Sequence, residues 1–538
     1  MKQSPGEKSS FFAWINGVTL FAGLVALFFL LTNGIPLVQW GWIRAFSGKS
    51  AYLNMTRVSV SIFFLIFFIL YFMYRELFNR LTVVRFVRTL FKAPLLLLLL
   101  ILTLIYIAIM SEVSILRHLS GAGGDVAIFV QAIWNGTQGD FLYSSIKGGI
   151  CLLGDHMSPI LAFVIPFYRL WPDPILTFIL QAITIGSGVY FTGWIAREKL
   201  KSDFLAVVFA LMYFFYFNAR ATLHYEFHPE ALVEPFMFLA FIYAQKKKLF
   251  GFIASLFLVM LGKENMLGIT FMLGFYVFAF CSWKRVGIWV MIFSVIIFLF
   301  EVKWLMPYLY RLEFQYSYYG RSRVDLLEVF GYLLRMYSPV FFLSFFHPPT
   351  LLLTLPIFLQ NALSSNELMR ITMRHYTIGL HPFLFISAIY GFSALCERWP
   401  GFAKRKNIIL CAVLWFSLLR AGPAEYFYAW NFIKEKRPYD AEMLAKVLEI
   451  GSKYSVLVQP NVLTRMTNRR DLYVLDGRTP PNQEIIAKHR FDYIVFSRAG
   501  WPLADIPIDQ TLGNLKAWGY SISFEKSGFY ILKRTKEH

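Results

Sequence analysis

The chain has 538 residues, of which 57% are hydrophobic, 19% aromatic and 16% charged, and its mean hydropathy is +0.54. Soluble domains carry about 25% charged residues, so this composition excludes an ordinary soluble enzyme and describes a polytopic membrane protein. The formal charge of +20 does not indicate nucleic acid: residues 422–538 hold 17 basic and 13 acidic side chains, net +4, which leaves +16 on the membrane part, where basic loops face anionic lipid.

Lys2 and Lys8 precede an apolar run from Phe11 to Leu31 that is too long for a signal-peptide core and has no small-residue cleavage site, so it reads as a retained anchor. Apolar runs then predict spans over residues 11–32, 51–74, 93–113, 174–196, 203–219, 231–245, 249–263, 265–281, 286–306, 332–346, 349–362, 379–396 and 407–421. That is about thirteen transmembrane helices, several of them short for a bilayer crossing. One set of connections is basic: Arg75 to Lys92, Arg197 to Lys201, Lys246 to Lys248, Lys284 with Arg285, and Arg398 to Lys406. They alternate with the spans, which puts them and the N-terminus in the cytoplasm, because positive charge resists translocation. The long connections 114–173, 307–331 and 363–378 and the tail after 421 then lie outside.

Cys151, Cys281, Cys396 and Cys411 form no CxxC pair, and three lie in or beside apolar runs, so neither disulfide nor zinc chemistry is indicated. Past 421 the pattern changes. Short strands are predicted over residues 455–459, 472–475, 491–497, 520–524 and 529–532, with helical stretches at 484–488 and 512–518 between them. Strands alternating with helices describe a small α/β domain of about 100 residues.

Ionisable residues at span ends are costly and therefore functional candidates, and five clusters of them fall on the outer side. Asp125 follows Gly121-Ala-Gly-Gly and opens a helix containing Gln131 and Trp134; it is either a general base or metal ligand, or an N-cap carboxylate. Asp155 and His156 open an amphipathic stretch ending near Trp171 that lies at the interface; they supply either a proton shuttle or a cap with a solvated imidazole. Arg220, His224, Glu226, His228, Glu230 and Glu234 make the densest polar run. Within it His224, Glu226, His228 and Glu230 are candidate ligands of a divalent ion, although Pro229 argues for extended backbone at His228; the alternative is a solvated outer loop in which Arg220 pairs with a carboxylate. Lys263 and Glu264 sit at a hinge, where Lys263 either holds a phosphate or pairs with its neighbour. Arg321, Arg323, Arg370, Arg374, His375, Tyr376 and His381 either clamp a phosphate or meet lipid headgroups.

The ordered set Asp125 with Gln131 and Trp134, Asp155-His156 with Ser158-Pro159, Glu226-Phe-His228-Pro229, Lys263-Glu264, and His375-Tyr376 with Pro382-Phe383 resembles the membrane-protein family called domain of unknown function 2079. The resemblance begins near Leu95, leaving residues 1–92 as two additional spans and a basic cytoplasmic loop, 93–421 as the membrane domain and 422–538 as an extracytoplasmic domain. That family is similar in turn to the C-type (GT-C) glycosyltransferases, which use polyprenyl-phosphate or polyprenyl-diphosphate sugars outside the cytoplasm. The resemblance implies a GT-C-like multi-pass protein of the cell membrane, a polyprenyl-linked sugar donor, and an acceptor glycan, lipid or protein. It implies Asp125, with Asp155 and His156, as the catalytic groups, and Lys263, Arg220, Arg321, Arg323, Arg374, His375 and Tyr376 as holders of the donor phosphate. A magnesium or manganese ion on Glu226, His228 and His224 would assist. The chain departs from the GT-C plan in lacking a paired Asp-Glu after Asp125 and an Asp-x-Asp in the second outer loop. A transporter or flippase of a lipid-linked or small anionic substrate is the rival reading, against which no inverted repeat of broken helices is evident.

Overall fold

A computed structural model describes residues 94–119, 124–310, 325–372, 374–421, 441–475, 490–497 and 508–535. The expected spans 11–32 and 51–74, the basic segment 75–92, Arg321, Arg323 and the expected helix at 484–488 lie outside the described residues. Residues 98–420 and 433–538 form one compact unit; of a second, 1–97 with 421–432, only 94–97 and Ala421 are described.

In chain order the main helices before the tail are α1 (Pro94–Leu119), α2 (Asp125–Thr137), α3 (Ile165–Leu170), α4 (Ile175–Leu200), α5 (Asp203–Phe214), α6 (Phe217–Tyr225), α7 (Glu234–Gln245), α8 (Leu249–Met260), α9 (Met266–Phe280), α10 (Lys284–Phe300), α11 (Leu326–Tyr337), α12 (Leu355–Ala362), α13 (His381–Arg398) and α14 (Lys406–Ala421), with shorter helical turns between them; the tail adds helices Ala441–Leu448 and Ile508–Ala517, the latter covering most of the expected 512–518. Among the described residues five helical segments are long and apolar enough to cross a membrane: Leu95–Ile115, Ile175–Leu200, Asp203–Tyr225, Lys284–Tyr310 and His375–Arg398. The first and fourth present broad bare apolar faces, including Leu104, Ile105, Trp289, Phe293 and Ile296, as lipid contact requires. The last is almost wholly enclosed by protein, and its residues from His381 to Ile389 are buried. Glycines let the spans close up: a Cβ on Gly186 would stand 2.7 Å from Ile107, one on Gly193 2.5 Å from Leu99, and one on Gly188 would overlap the Tyr213 ring.

The expected spans at 231–245, 249–263 and 265–281 are the shorter helices α7, α8 and α9. They nevertheless run between two chemically distinct ends. At one end the basic connections gather: Arg197 pairs with Asp203, Lys199 lies 3.5 Å from Glu397, and Lys246 stands 4.5 Å over the Trp194 ring. At the other end lies the cavity described below. The expected span 332–346 is interrupted, because Phe341 and Phe342 take left-handed backbone, φ 50° and 56°, and end the helical run after α11. The stretch from His156 to Trp171 is a 3₁₀ turn followed by α3; Phe163, Phe167, Leu170 and Trp171 are exposed along it, an amphipathic segment suited to an interface.

The tail folds as a five-stranded sheet of β3 (Val456–Val458), β4 (Leu472–Val474), β5 (Tyr493–Ser497), β6 (Tyr520–Lys526) and β7 (Phe529–Arg534), numbered after a small hairpin β1 (Tyr143–Ser144) and β2 (Ile150–Cys151) in the first long connection. Its order is β4-β3-β5-β7-β6, with β3 parallel to β4 and β5, and β7 antiparallel to β5 and β6. Both faces are covered. Val456, Val458 and Val495 enter one apolar cluster, and Leu457, Ile494 and Phe496 the other, which explains strands with no polar alternation.

The first cluster also contains Ala127 of α2, with Ile146 packed against it, so the tail shares its core with the first long connection. Polar contacts lock the two together. Gln131 Nε2 donates to Arg470 O at 2.8 Å and to Ser145 Oγ at 2.7 Å, while Ser145 Oγ bonds both Leu472 O and Leu472 N at 2.7 and 2.9 Å. Arg470 lies 2.8 Å from Asp140, and Asn468 bonds Tyr168 and Pro172 O at 2.7 Å.

Candidate functional site

Asp125 is the first residue of α2. Its helix start is capped by Glu226: the Glu226 carboxylate accepts the Gly124 amide at 3.2 Å and the Val126 amide at 2.7 Å. A carboxylate at a helix N-terminus satisfies orphan amides and the positive end of the dipole. Because Glu226 performs that task from another segment, Asp125 is relieved of it. Burial, and then the Asp125 charge, push the Glu226 carboxyl up, against the amide bonds that pull it down. Asp125 Oδ2 accepts from the Tyr225 hydroxyl at 3.2 Å, and that hydroxyl receives Arg374 Nη1 at 3.0 Å, with the guanidinium 5.2 Å over the Tyr225 ring. Arg374 therefore holds Asp125 through Tyr225.

His228 stands in extended backbone before Pro229, φ −137° and ψ 136°, as a residue preceding proline should. Its Nδ1 is 3.2 Å from Glu226 O, and because a carbonyl only accepts, that nitrogen carries the proton. Nε2 is left facing Asp125 Oδ2 at 3.8 Å. The ring stacks on His375 with centroids 3.5 Å apart and planes 14° apart, and burial pushes the His228 imidazole down. Tyr376 packs beside His375 at 4.0 Å.

Lys263 and Glu264, neighbours in sequence, take separate partners. Lys263 Nζ is 3.5 Å from Glu230 Oε1, which also lies 3.9 Å from His375 Nε2. Glu264 accepts the Met157 amide at 3.0 Å and lies 3.2 Å from His156 Nδ1. Burial would raise the Glu264 carboxyl, but His156 and Lys263 outweigh it and hold it down to about 2. Asp155 is spoken for by Lys147 at 2.8 Å.

These groups meet around a cavity of about 190 Å³. Of the residues singled out in the sequence, Asp125, Asp155, His156, His228, Glu230, Lys263, Glu264, His375 and Tyr376 line it. Arg374 acts one step behind, through Tyr225, and Glu226 behind the α2 amides. Arg220 and His224 are buried within α6 and do not line the cavity. Among the described residues no three His, Cys, Asp or Glu side chains are arranged to hold a metal ion. Glu226, His224 and His228 do not fit a cation site, since the Glu226 oxygens are turned to backbone amides and His228 to Asp125 and Glu226 O. No step below runs through a metal.

Lys147, Asn265, Gln360 and Asn366 also line the cavity although the sequence assigned them no role, and Glu230, a cation-ligand candidate in the sequence, faces Lys263 there instead. Lys147 had a signal: it is a lysine in a long connection that the basic-loop rule places outside. Asn265 and Gln360 are ordinary polar residues at helix ends until the fold brings them together.

The class this fold and cavity define is a helical membrane protein with a polar cavity at one end of its bundle and a sheet-bearing tail docked beside it. The fold is similar to that of ArnT from Cupriavidus metallidurans bound to undecaprenyl phosphate, with a TM-score of 0.52 at 11% identity over 80% of this chain and 97% of that one. The apo form of that protein matches at a TM-score of 0.51 and 10% identity, with the same 80% and 97% coverage. Residues 115–531 match the family described as "Predicted membrane protein (DUF2079)", and the chain belongs to that family, as its ordered motifs led us to expect. No curated protein matches the chain significantly.

Proposed function

We propose that the chain is an integral-membrane glycosyltransferase that moves a sugar from a polyprenyl-phosphate or polyprenyl-diphosphate donor to an acceptor glycan, lipid or protein. One observation carries the reading: five separated stretches deliver Asp125, Asp155 with His156, His228, Lys263, and His375 with Tyr376 to one cavity in a fold similar to that of ArnT. That neighbour was crystallised with undecaprenyl phosphate, which supports a lipid-linked donor. We place the cavity on the extracytoplasmic face of the cell membrane, because the basic connections collect at the opposite end of the helices.

The chemistry is an inverting displacement. The acceptor oxygen attacks the anomeric carbon as Asp125 removes its proton; the bond from that carbon to the phosphate oxygen breaks, and its electron pair leaves with the lipid phosphate. Lys263, with Lys147 and His156 on the same cavity wall, meets the negative charge developing on that phosphate. Tyr225, held by Arg374, orients the base.

The test is transfer of radiolabelled sugar from a panel of polyprenyl-phosphate sugars to membrane acceptors, comparing wild type with Asp125→Asn at confirmed fold. Loss of the base should lower turnover about 10²–10⁴-fold. Equal turnover by the two proteins removes Asp125 as base. Absence of transfer from every donor, with substrate movement in sealed vesicles, establishes the transporter instead.

A further inference from the structure

Two residues that line the cavity each carry a buried acceptor atom with no hydrogen-bond partner among the described residues. Glu230 is 3% exposed, and its Oε1 faces Lys263 and His375, yet its Oε2 is buried with no hydrogen-bond partner among the described residues. Asn265 Oδ1 is likewise buried and unpartnered. Both residues line the cavity.

Asn265 is the more telling of the two. It occupies the N-cap of α9, where an Asn oxygen ordinarily accepts an amide of the first turn. Here the amides of Met266, Leu267 and Gly268 already reach the carbonyls of Lys263, Glu264 and Asn265 at 2.9, 3.4 and 3.1 Å, and no side-chain cap forms. The side-chain oxygen is thus released from its usual work. A buried acceptor left unpaired is destabilising, so a pair of them in residues lining one cavity calls for donors supplied from outside the chain.

We infer that Glu230 and Asn265 form the sugar-reading half of the cavity, accepting hydroxyl groups of a neutral sugar whose phosphate sits against Lys263. The inference rests on the glycosyltransferase reading. A hydroxyl is the fitting donor, because Lys263 already neutralises Glu230 and a substrate ammonium would set two cations against one carboxylate. The arrangement also couples the two halves: Glu230 holds Lys263 through one oxygen and reads the sugar through the other.

The experiment measures equilibrium binding to the full-length protein in nanodiscs, using bare polyprenyl phosphate, polyprenyl-phosphate hexoses and a polyprenyl-phosphate amino sugar as probes. Wild type should bind a hexose-bearing lipid more tightly than the bare one. Glu230→Gln and Asn265→Ala should each cut that preference about tenfold or more, the loss of a hydrogen bond to a charged or buried acceptor. Affinity for the bare lipid should not fall in Asn265→Ala, which leaves both Glu230 and Lys263 in place. An equal fall for bare and sugar-bearing lipid would overturn the inference and make Glu230 a mere support of Lys263. Unchanged preference in both monodisperse variants, or preference for the amino sugar, would also overturn it. Failure of wild type to bind any polyprenyl phosphate is a separate pattern and would sink the glycosyltransferase reading beneath it.

Discussion

Replacing Glu264 by Gln isolates one electrostatic contact at the cavity mouth. In the folded chain the Glu264 carboxyl is held down to about 2 from 4.5, despite a burial that opposes the shift. Each pKa unit is about 1.4 kcal/mol of preference for the charged form, so the full shift corresponds to about 3 kcal/mol. The His156 side chain is 33% exposed, so solvent screens part of the attraction, and about 2 kcal/mol is the expected loss. The sign is fixed by the direction of the shift. A carboxyl depressed on folding contributes fully above its unfolded value near 4.5, and that contribution fades as pH falls from there through about 2. Thermal unfolding of detergent-purified wild type and Glu264→Gln should therefore differ by about 2 °C at neutral pH, with the gap closing below pH 4.5. A gap that stays constant from pH 7 to pH 3 would show that packing, not charge, is responsible, and a variant as stable as wild type would refute the reasoning outright.

Gly188→Leu should abolish monodisperse protein on gel filtration, because its side chain would occupy the space of the Tyr213 ring, whose hydroxyl bonds Glu234 in the sealed interior; overpacking of this kind costs about 1–3 kcal/mol or more. Gln131→Ala should leave the carbonyls of Arg469 and Arg470 without their donor and loosen the tail by about 1–3 kcal/mol, read as faster proteolytic release of the segment after residue 421. Unaltered proteolysis would mean that the shared apolar core alone retains the tail.

The long spans were legible because lipid imposes a run of apolar residues, and the gathering of polar clusters on one side followed from where basic loops interrupt those runs. The tail strands were legible as well, since β3, Val-Leu-Val, and β5, Tyr-Ile-Val-Phe-Ser, are buried along almost their whole length and read as short runs without polar alternation. Other features left no local trace. Nothing around Phe341 and Phe342 announces left-handed backbone, because bulky aromatics pass for span residues. Glu226 offers the composition of a metal ligand, and only the approach of the α2 amides from 100 positions away makes it a cap. Lys263 and Glu264 looked like a local pair because adjacency is visible in sequence, whereas Glu230 and His156 as their partners are not.

The docking of the tail on the first long connection has a consequence for biogenesis. Gln131, six residues past the proposed base, is held by a carbonyl 338 positions downstream, and Ser145 by a strand 327 positions downstream. The helix that carries Asp125 is therefore finished by a part of the chain made long after it. During synthesis and membrane insertion the early spans are in place before the sheet exists, so α2, whose first residue Asp125 lines the cavity, lacks its tail contacts until the strands have been made. A chain cut short before the sheet would keep its spans and leave Gln131 and Ser145 without those partners, so the hold on α2 is conditional on the tail.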